Sequence, residues 1–452
     1  MTELPPETAA AAAAPARKGW PALLARLQSH RGKIVAVGLG QLATGLGLAV
    51  GSRVLTEFVA PEALGEYKLA IGIVGLFTGI FFRPFIQFVM RQYHDAAEHR
   101  QEREFLAFAR STIARFALVL GFALAVTLFF YGRNTPGLGL LAALLGGGLL
   151  YLHVSLSFQN GVLITQNRQR LANVLRTGYQ CGTPFAVAAG AWALGQDGQF
   201  LLLAELVFLA VVFAVSVGVV RAAGATAGPP AAEPQRREWT GEATRFVVPM
   251  LGVSLFSWML GVSDRFILAA CHSAHEVGLY SAVYGLGSQP MLMVTGLTAQ
   301  LVYPFLFKAA AQKRGAAETL ILRYVIATAV LAAVLGLCGL LLFGNLIVEL
   351  LLAAEYRTDA LPLLLWVAAG YALLGVASSF ELKAYAGKKT SVISTAYGVA
   401  AATNLGLNFL WIPHAGALGA ARATCFGFLA YLLVMAAANR KVFAAATPSP
   451  KD

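Results

Sequence analysis

Long apolar runs constrain this chain more than any other feature of its sequence. A helix needs about 20 apolar residues to cross the roughly 30 Å hydrocarbon layer of a bilayer. Twelve runs of this kind recur along the chain, at residues 33–55, 67–90, 113–131, 138–163, 171–194, 200–220, 246–270, 280–307, 320–343, 361–382, 391–411 and 416–438. The sequence therefore predicts an all-α polytopic membrane protein with 12 transmembrane helices.

The composition agrees with this prediction. Only 12% of the residues are charged and 58% are hydrophobic, and the mean hydropathy is +0.68. Soluble domains carry about 25% charged residues, so this composition excludes an ordinary soluble protein. The cysteines are far apart and have no histidine at metal-ligand spacing, which argues against a disulfide framework or a zinc site. They are Cys181, Cys271, Cys338 and Cys425.

The basic residues predict the orientation of the chain. Of the 34 lysines and arginines, 27 fall on the tails and on the connectors that would face the cytoplasm if both termini were cytoplasmic. Cytoplasmic loops of membrane proteins are enriched in these residues. The net charge of +12 is therefore attributed to topology, and no nucleic-acid partner is expected.

A polar segment after the sixth run divides the chain into two halves. The expected organisation is a cytosolic tail, a six-helix lobe, a cytosolic linker, a second six-helix lobe and a second cytosolic tail. Their predicted bounds are 1–32, 33–221, 222–245, 246–439 and 440–452.

An internal repeat relates these halves. In each half an arginine near the outer end of the first run is followed, 12 or 13 residues later, by a Gly-x-Tyr motif. The arginines are Arg53 and Arg265, and the motifs span residues 65–67 and 278–280. Since each half has an even number of spans, the two lobes should be related by an axis along the membrane normal, with a cleft between them.

Polar side chains within the runs are the candidate site residues, because such groups usually face a protein interior or a wet cavity. The cations are Arg53, Arg83, Arg265 and Arg422, the neutral groups are Gln41, Gln87, Ser257, Tyr284 and Asn404, and the carboxylates are Asp264, Glu205 and Glu381. Structural interpretations stay open for several of these residues. They are snorkelling or an ion pair for Arg53, Asp264 and Arg265 and snorkelling for Arg422, and interhelical hydrogen bonding for Glu205, Glu381 and Asn404.

No catalytic signature is present. The sequence has no phosphate-binding Gly-rich loop, and His153 and His272 have no nucleophile or metal partner nearby in the sequence. The interpretation is a non-enzymatic membrane protein without a resident cofactor or metal.

Three stretches resemble a known family. They are residues 63–67, residues 264–268 together with 276–280, and the stretch 404–424 with its Asn-x-x-x-Asn, Pro-His-Ala-Gly and Gly-Ala-Ala elements. These stretches are similar to those of the oligosaccharide and polysaccharide flippases of the multidrug/oligosaccharidyl-lipid/polysaccharide (MOP) superfamily. Arg422 departs from the family pattern, in which this position is usually aliphatic.

The resemblance implies a bacterial inner-membrane flippase with two six-helix bundles, a central cavity and alternating access. Its substrate would be an undecaprenyl-pyrophosphate-linked oligosaccharide for O-antigen, capsule or exopolysaccharide. The arginines would engage the phosphates or the glycan, and Gln41, Gln87, Ser257, Tyr284 and Asn404 would contact sugar hydroxyls. If a proton or sodium gradient drives transport, Asp264, Glu205 or Glu381 would bind the ion. The implied partners are membrane lipids, a polysaccharide polymerase and chain-length proteins.

Three alternatives stay open. A cation-coupled drug or metabolite exporter of the same superfamily would share the fold, although a cationic drug favours an acidic cavity. A lipid II flippase of the related murein family would need two further spans. A scaffold that anchors a polysaccharide synthase without transporting anything would tolerate substitution of the polar span residues.

Overall fold

The computed structural model describes residues 31–133, 135, 137–222, 228–229, 231–311, 315–386 and 390–440. Within these ranges the chain is helical, with short connections. The helices are α1 (Arg31–Phe58), α2 (Pro61–Glu98), α3 (Glu102–Gly132), α4 (Leu140–Thr165), α5 (Gln169–Leu194), α6 (Gly198–Ala222), α7 (Glu233–Cys271), α8 (Ala274–Ala311), α9 (Gly315–Leu351) and α10 (Ala360–Ala386). The last helical stretch, Thr390–Ala438, contains α11 and α12. Most of both predicted tails lies outside the described residues.

A glycine divides the last stretch into two helices. Gly416 has φ 51° and ψ −134°, a left-handed conformation that glycine adopts without the steric cost of a Cβ. Pro413, one turn earlier, lacks the amide hydrogen that a continuous helix would use. We therefore treat residues 390–415 as α11 and residues 417–438 as α12.

Helix length and hydropathy together identify the candidate membrane spans. Eight helical stretches among the described residues are long and apolar enough to cross a membrane: α2, α3, α4, α6, α7, α9, α10 and the stretch containing α11 and α12. Among the remaining helices, α5 is comparatively polar and carries Arg170 and Arg176. The polytopic all-α class is confirmed, and 12 spans stay a prediction.

The segment expected as a linker, 222–245, is helical from Glu233 onward. Glu233 lies in the first turn of α7, where a carboxylate is stabilised by the helix dipole, and it forms an ion pair with Arg237 at 2.8 Å. Trp239 is buried against Phe105 and Phe108 of α3, with ring centroids 5.1 and 5.6 Å away. This aromatic packing extends α7 beyond the apolar run that predicted it.

The helix α2 contains one turn of π-helix, Thr78–Phe82. Arg83 follows this turn, and its backbone N–H donates to the carbonyl of Thr78, five residues earlier. Pro84 comes next and has no backbone N–H to donate. The wider turn changes the direction in which Arg83 leaves the helix, and π turns of this kind often occur at functional positions.

The two halves pack in similar ways. In the first, α1 packs on α5, α2 on α6, and α3 and α6 on α4. In the second, α7 and α10 pack on the stretch containing α11 and α12, and α9 packs on α10. The halves meet mainly through α2, which packs on α8 and α7, and through α1, which packs on α8. This arrangement agrees with two six-helix bundles that face each other.

The two Gly-x-Tyr motifs make the closest contact between the halves. A Cβ at Gly65 would lie 1.8 Å from the carbonyl oxygen of Ala274, and a Cβ at Gly278 would lie 1.8 Å from that of Pro61. The contacts are reciprocal, because each glycine receives the backbone at the start of the opposite helix. Small residues allow such close approach of helices in membranes. We call the side of the molecule with this contact the outer side, following the predicted topology.

A candidate binding cleft between the two lobes

The helices α1, α2, α7 and α8 are buried at their outer ends and exposed toward the opposite side, which carries the predicted cytoplasmic connectors. On α2, Leu64 and Leu69 are buried, whereas Phe81, Arg83 and Gln87 are exposed. The other three helices show the same gradient. Their buried outer residues are Leu55 on α1, Leu268 on α7 and Tyr280 on α8, and their exposed residues nearer the basic side are Val50 and Leu46, Phe256 and Val248, and Gln289 and Leu292, respectively. We interpret this gradient as a cleft between the lobes that is closed at the outer side and open at the basic side.

One seam of the cleft stays closed toward the basic side. Phe88 of α2 packs on Phe246 of α7 with ring centroids 6.1 Å apart, and Arg91 lies over the Phe246 ring at 5.8 Å. Trp258 of α7 donates through its indole N–H to the carbonyl of Gly72, at 3.0 Å. The α2–α7 seam thus holds the two lobes together while the cleft is open.

A hydrogen-bonded latch closes the outer side. Arg53, near the end of α1, forms an ion pair with Glu57 at 2.7 Å and donates to the carbonyl of Leu352, in the connection between α9 and α10. In the same place the amide of Ala353 donates to the Thr56 hydroxyl at 3.1 Å, and Tyr356 donates to the carbonyl of Val59 at 2.7 Å. Tyr356 is fully buried. The structure therefore places Arg53 in a contact between the lobes at the outer end.

Asp264 and Arg265 form a buried pair at the closed end of the cleft. Their side chains are 1% and 12% exposed and are 3.4 Å apart. Tyr280 donates its hydroxyl hydrogen to the second oxygen of Asp264. Arg265 donates to the carbonyl of Gly261 at 2.7 Å and to the Ser281 hydroxyl at 3.3 Å. The Nη2 atom of Arg265 makes no hydrogen bond within the described part of the chain, so it retains donor capacity for a ligand.

Tyrosine rings surround the Arg265 guanidinium. Its Cζ lies 4.5 Å from the centroid of Tyr284 and 5.6 Å from that of Tyr280. The Tyr284 hydroxyl shares a hydrogen bond of 2.8 Å with Tyr371 of α10. Cation–π contact stabilises a cation away from bulk water. The sequence analysis gave Arg265, Tyr284 and Asp264 separate roles, and the structure brings the three side chains together with Tyr371, which was not anticipated.

The first lobe carries a corresponding arrangement. Tyr67, at the position of Tyr280 in the repeat, donates to Glu205 of α6 at 3.0 Å, and Glu205 is 3% exposed. The other oxygen of Glu205 lies 3.4 Å from Nε2 of His153 on α4. The sequence analysis expected no nucleophile or metal partner near His153; the structure gives it a carboxylate neighbour, because residues distant in sequence meet across α4 and α6.

Lys68 is a cation at the closed end of the cleft that is absent from the sequence-based candidates. It lies one turn below Gly65 on α2, is half-buried, and has its ammonium 5.1 Å from the Tyr67 ring centroid. It is close enough to Glu205 and to Arg265 for electrostatic interaction with both. Within the described residues it forms no ion pair. Its position three residues after the repeat glycine was the signal that could have identified it.

Arg83 and three neutral candidates lie on the open part of the cleft helices. Arg83 and Gln87 are exposed on α2, while Gln41 of α1 and Ser257 of α7 are half-buried. The Arg83 side chain makes no hydrogen bond or ion pair with the described residues. A cation with no protein partner at this depth can bind an anion.

Two other candidates lie elsewhere. Arg422 packs over the Trp366 ring at 5.8 Å, within the second lobe, and the structure does not bring it together with Arg265. Asn404 is 1% exposed and donates to Thr424 at 3.4 Å, while it accepts a hydrogen bond from Asn408 at 3.0 Å. These contacts correspond to the interhelical hydrogen-bonding interpretation of Asn404.

Glu381 lies on a separate cavity of about 150 Å³ between α8, α9 and α10. The wall is mostly apolar and includes Met291, Ala332 and Gly375, with the hydroxyl of Ser379. Glu381 accepts a hydrogen bond from Tyr431 of α12. Its predicted role in ion coupling stays a prediction. The described residues contain no group of three His, Cys, Asp or Glu side chains that could hold a metal ion.

Comparisons with known proteins agree with this architecture. The family model described as "Polysaccharide biosynthesis protein" matches residues 31–310. No curated protein matches the sequence.

Several solved structures share the fold. An inward-facing multidrug resistance MATE family transporter of the MOP superfamily has a TM-score of 0.69 and 13% identity, covering 89% of this chain and 95% of that chain. The lipid II flippase MurJ, in an inward closed conformation, has a TM-score of 0.66 and 14% identity, covering 90% and 89%. A point mutant of the MATE transporter VcmN of Vibrio cholerae has a TM-score of 0.62 and 15% identity, covering 92% and 98%. At these identities the likeness concerns the fold alone.

Proposed function

Because this chain belongs to the polysaccharide biosynthesis protein family and has the fold of MOP transporters and flippases, we propose that it is a flippase for an undecaprenyl-pyrophosphate-linked oligosaccharide. The glycan would serve surface polysaccharide assembly as O-antigen, capsule or exopolysaccharide. The protein would reside in the bacterial inner membrane with both termini in the cytoplasm, and would deliver the glycan to a polymerase and chain-length proteins.

One observation carries the proposal: the cleft opens toward the basic side and contains two cations, Arg83 and Lys68, that form no ion pair with a carboxylate among the described residues. Arg83 lies on the open wall without a partner among the described residues, and Lys68 and Arg265 lie at the closed end. A pyrophosphate carries negative charge and accepts several charge-assisted hydrogen bonds. The prenyl tail has no need to enter the cleft, because it is soluble in the surrounding lipid.

The neutral side chains near these cations suit a glycan. Gln41, Gln87 and Ser257 are half-buried or exposed on the cleft helices and carry both donors and acceptors. Arg53, Arg422 and Asn404 take no part in this proposal, because their contacts lie in the outer latch and within the second lobe. Alternating access would require the latch and the Gly65–Gly278 contact to separate while the opposite side closes.

The energy source belongs to the proposal as well. A proton or sodium gradient would act through Asp264, Glu205 or Glu381, and no resident cofactor is needed. The second candidate function is export of cationic drugs, but Arg83 and Lys68 would repel such a substrate.

A deletion strain tests the proposal. We expect loss of the gene to deplete surface polysaccharide and to accumulate undecaprenyl-linked glycan on the cytoplasmic side. Wild type should restore both, Arg83→Ala should fail at normal protein level, and Arg237→Ala, which alters an exposed arginine on the cytoplasmic part of α7, should restore both. Unchanged glycans in the deletion strain would contradict the flippase function and favour the small-molecule exporter.

A further inference from the structure

The pair formed by His153 and Glu205 has an unusual property: it is buried and incomplete. The Nε2 atom of His153 is buried and has no hydrogen-bond partner among the described residues, although it lies 3.4 Å from a Glu205 oxygen. A buried polar atom without a hydrogen-bond partner is energetically unfavourable. One proton on the imidazole would convert this contact into an ion pair, so the geometry is suited to binding a proton.

The His153 ring is partly accessible. The helix α4 has an exposed apolar stripe that includes Leu140, Leu144 and Tyr151. On the opposite side lies a polar stripe, at helical spacing on the half of α4 nearer the basic side, on which Ser157 is exposed and His153 and Asn160 are half-buried. The His153 side chain is 29% exposed. A proton can therefore reach the imidazole from this polar face.

The pair is connected to Lys68. Tyr67 donates to the second oxygen of Glu205 at 3.0 Å, and the Lys68 ammonium lies over the Tyr67 ring. Lys68 is within electrostatic reach of both Glu205 and Arg265 of the other lobe. The ionisable groups that face the pair are therefore Tyr67 and Lys68 from α2, with Arg265 of α7 beyond them. In the described residues no hydrogen bond or ion pair joins the pair to α3 or α5, which also pack on α4.

The charges of these groups depend on one proton. While His153 is neutral, the negative charge of Glu205 offsets the positive charge of Lys68. When His153 is protonated it pairs with Glu205, and Glu205 then no longer offsets the charge of Lys68 at the closed end of the cleft. The positive potential available to an anion increases by one charge.

We propose that His153 and Glu205 form a proton-binding site that sets the affinity of the cleft for an anionic headgroup. Proton binding and anion binding then reinforce each other, as linkage requires of two coupled sites. The anion part of this inference rests on the proposed function, whereas the proton site stands on the contacts of α2, α4 and α6.

A binding experiment on the purified full chain in detergent tests the coupling. The probe is UDP-glucose, a sugar on a diester pyrophosphate whose charge is constant from about pH 6 to about pH 8, a range in which histidine titrates. We expect wild type to bind it roughly 5-fold to 10-fold more tightly at the lower pH. His153→Gln and Glu205→Gln should reduce this ratio to below about 2, whereas His272→Gln, which changes an exposed histidine at the outer side of the second lobe, should keep it.

A ligand-free measurement separates the two proposals. In protein with isotope-labelled histidine, the imidazole signal that disappears in His153→Gln should titrate with a midpoint that moves in Glu205→Gln and not in Glu57→Gln. An unmoved midpoint, or a wild-type affinity that is independent of pH, would overturn the proton site. Absence of UDP-glucose binding at both pH values would overturn the anion-binding cleft of the proposed function, and with it the coupling. In that case a midpoint that moves in Glu205→Gln would still support the proton site formed by His153 and Glu205.

Discussion

The two lobes build the same contact with different charges. In each, a repeat tyrosine donates to a buried carboxylate: Tyr67 to Glu205 in the first lobe and Tyr280 to Asp264 in the second. The carboxylate of the second lobe has Arg265 at 3.4 Å, which is always charged. That of the first has His153 at 3.4 Å, which is charged only when protonated. The repeat places a tyrosine hydroxyl on the carboxylate in both lobes. The basic residue beside the carboxylate differs: Arg265 neutralises Asp264 at all pH values, whereas His153 neutralises Glu205 only when it is protonated.

The largest expected effect comes from removing the negative charge of the carboxylate in each lobe. Asp264→Asn leaves the Arg265 guanidinium buried without a counter-charge, which should lower the free energy of unfolding by about 3–5 kcal/mol. Glu205→Gln leaves only neutral neighbours at hydrogen-bonding distance and should cost about 1 kcal/mol. Thermal unfolding in detergent at about pH 8, followed by tryptophan fluorescence, measures both. Equal losses would contradict the proposed difference between the lobes.

The second prediction tests the reciprocal glycine contact. Gly278→Ala places a Cβ where the carbonyl of Pro61 lies, so the outer ends of α2 and α8 must separate. We expect transport to fall at least about tenfold, because the closed outer side is destabilised. Gly65→Ala should have an effect of similar size, since the two contacts mirror each other.

Gly285→Ala is the matched control for Gly278→Ala, because a Cβ at this position of α8 meets no atom within 4 Å. Spin labels at Glu62 and His275, both exposed near the outer ends, report the separation. Unchanged label distances in Gly278→Ala would show that the contact does not hold the outer side closed.

The third prediction concerns a difference between α2 and α8: α2 has a π turn before its proline, whereas α8 does not. Pro84→Ala restores a backbone donor, and conversion of the π turn to an α turn would rotate Arg83 by about 100° around the helix. We expect transport to decrease several-fold with little change in thermal stability. Pro290→Ala in α8, which is α-helical through this proline, should have a smaller effect. Equal transport in Pro84→Ala and wild type would mean that the direction of Arg83 does not matter.

The smallest expected effect concerns the outer latch. Tyr356→Phe removes one hydrogen bond to Val59 and keeps the ring, which should cost about 1 kcal/mol and shift the population of the closed outer side about fivefold. Labelling of a cysteine at Val59, whose side chain is 2% exposed while the outer side is closed, by a membrane-impermeant reagent measures this opening. If Tyr356→Phe is labelled as slowly as the protein with Tyr356 intact, the Tyr356 hydrogen bond does not help to hold the outer side closed.

The latch should also be insensitive to pH. Burial raises the pKa of Tyr356 above its ordinary value of 10.0, so the phenol stays a donor at all lower pH values. Its stabilising contribution is present below about pH 10 and is lost only as the pH rises further. Pulse labelling of His153→Gln protein, which lacks the proposed proton site, should therefore give equal opening at about pH 6 and pH 8. A latch that opens between these values would contradict this.

Much of the fold follows from the sequence, because apolar runs and charge asymmetry act locally. The twelve predicted runs coincide with helical segments, and the Gly-x-Tyr repeat marks the contact between the lobes. The Gly416 break was visible as a gap between two runs. The extension of α7 back to Glu233 was not, because Trp239 is stabilised by α3, which is distant in sequence.

The site was less predictable for the same physical reason. Asp264 and Arg265 are neighbours in sequence, so their pairing could be predicted. His153 and Glu205 meet only because α4 packs on α6, and Lys68 becomes a cleft residue only because α2 packs on α8. Arg53 and Arg422 look alike as intramembrane arginines, yet one lies in the latch and the other on Trp366.

Translocation in proteoliposomes tests the central claim most directly, namely that the cations of the cleft carry an anionic lipid-linked sugar across the membrane. Purified protein would be reconstituted with a fluorescent prenyl-pyrophosphate-linked oligosaccharide or with a neutral prenyl glycoside of the same sugar. We expect wild type and Arg237→Gln to move the anionic lipid and not the neutral one, and Arg83→Gln and Lys68→Gln to be at least about tenfold slower. Equal movement of the neutral lipid, or full activity of both variants, would contradict the account.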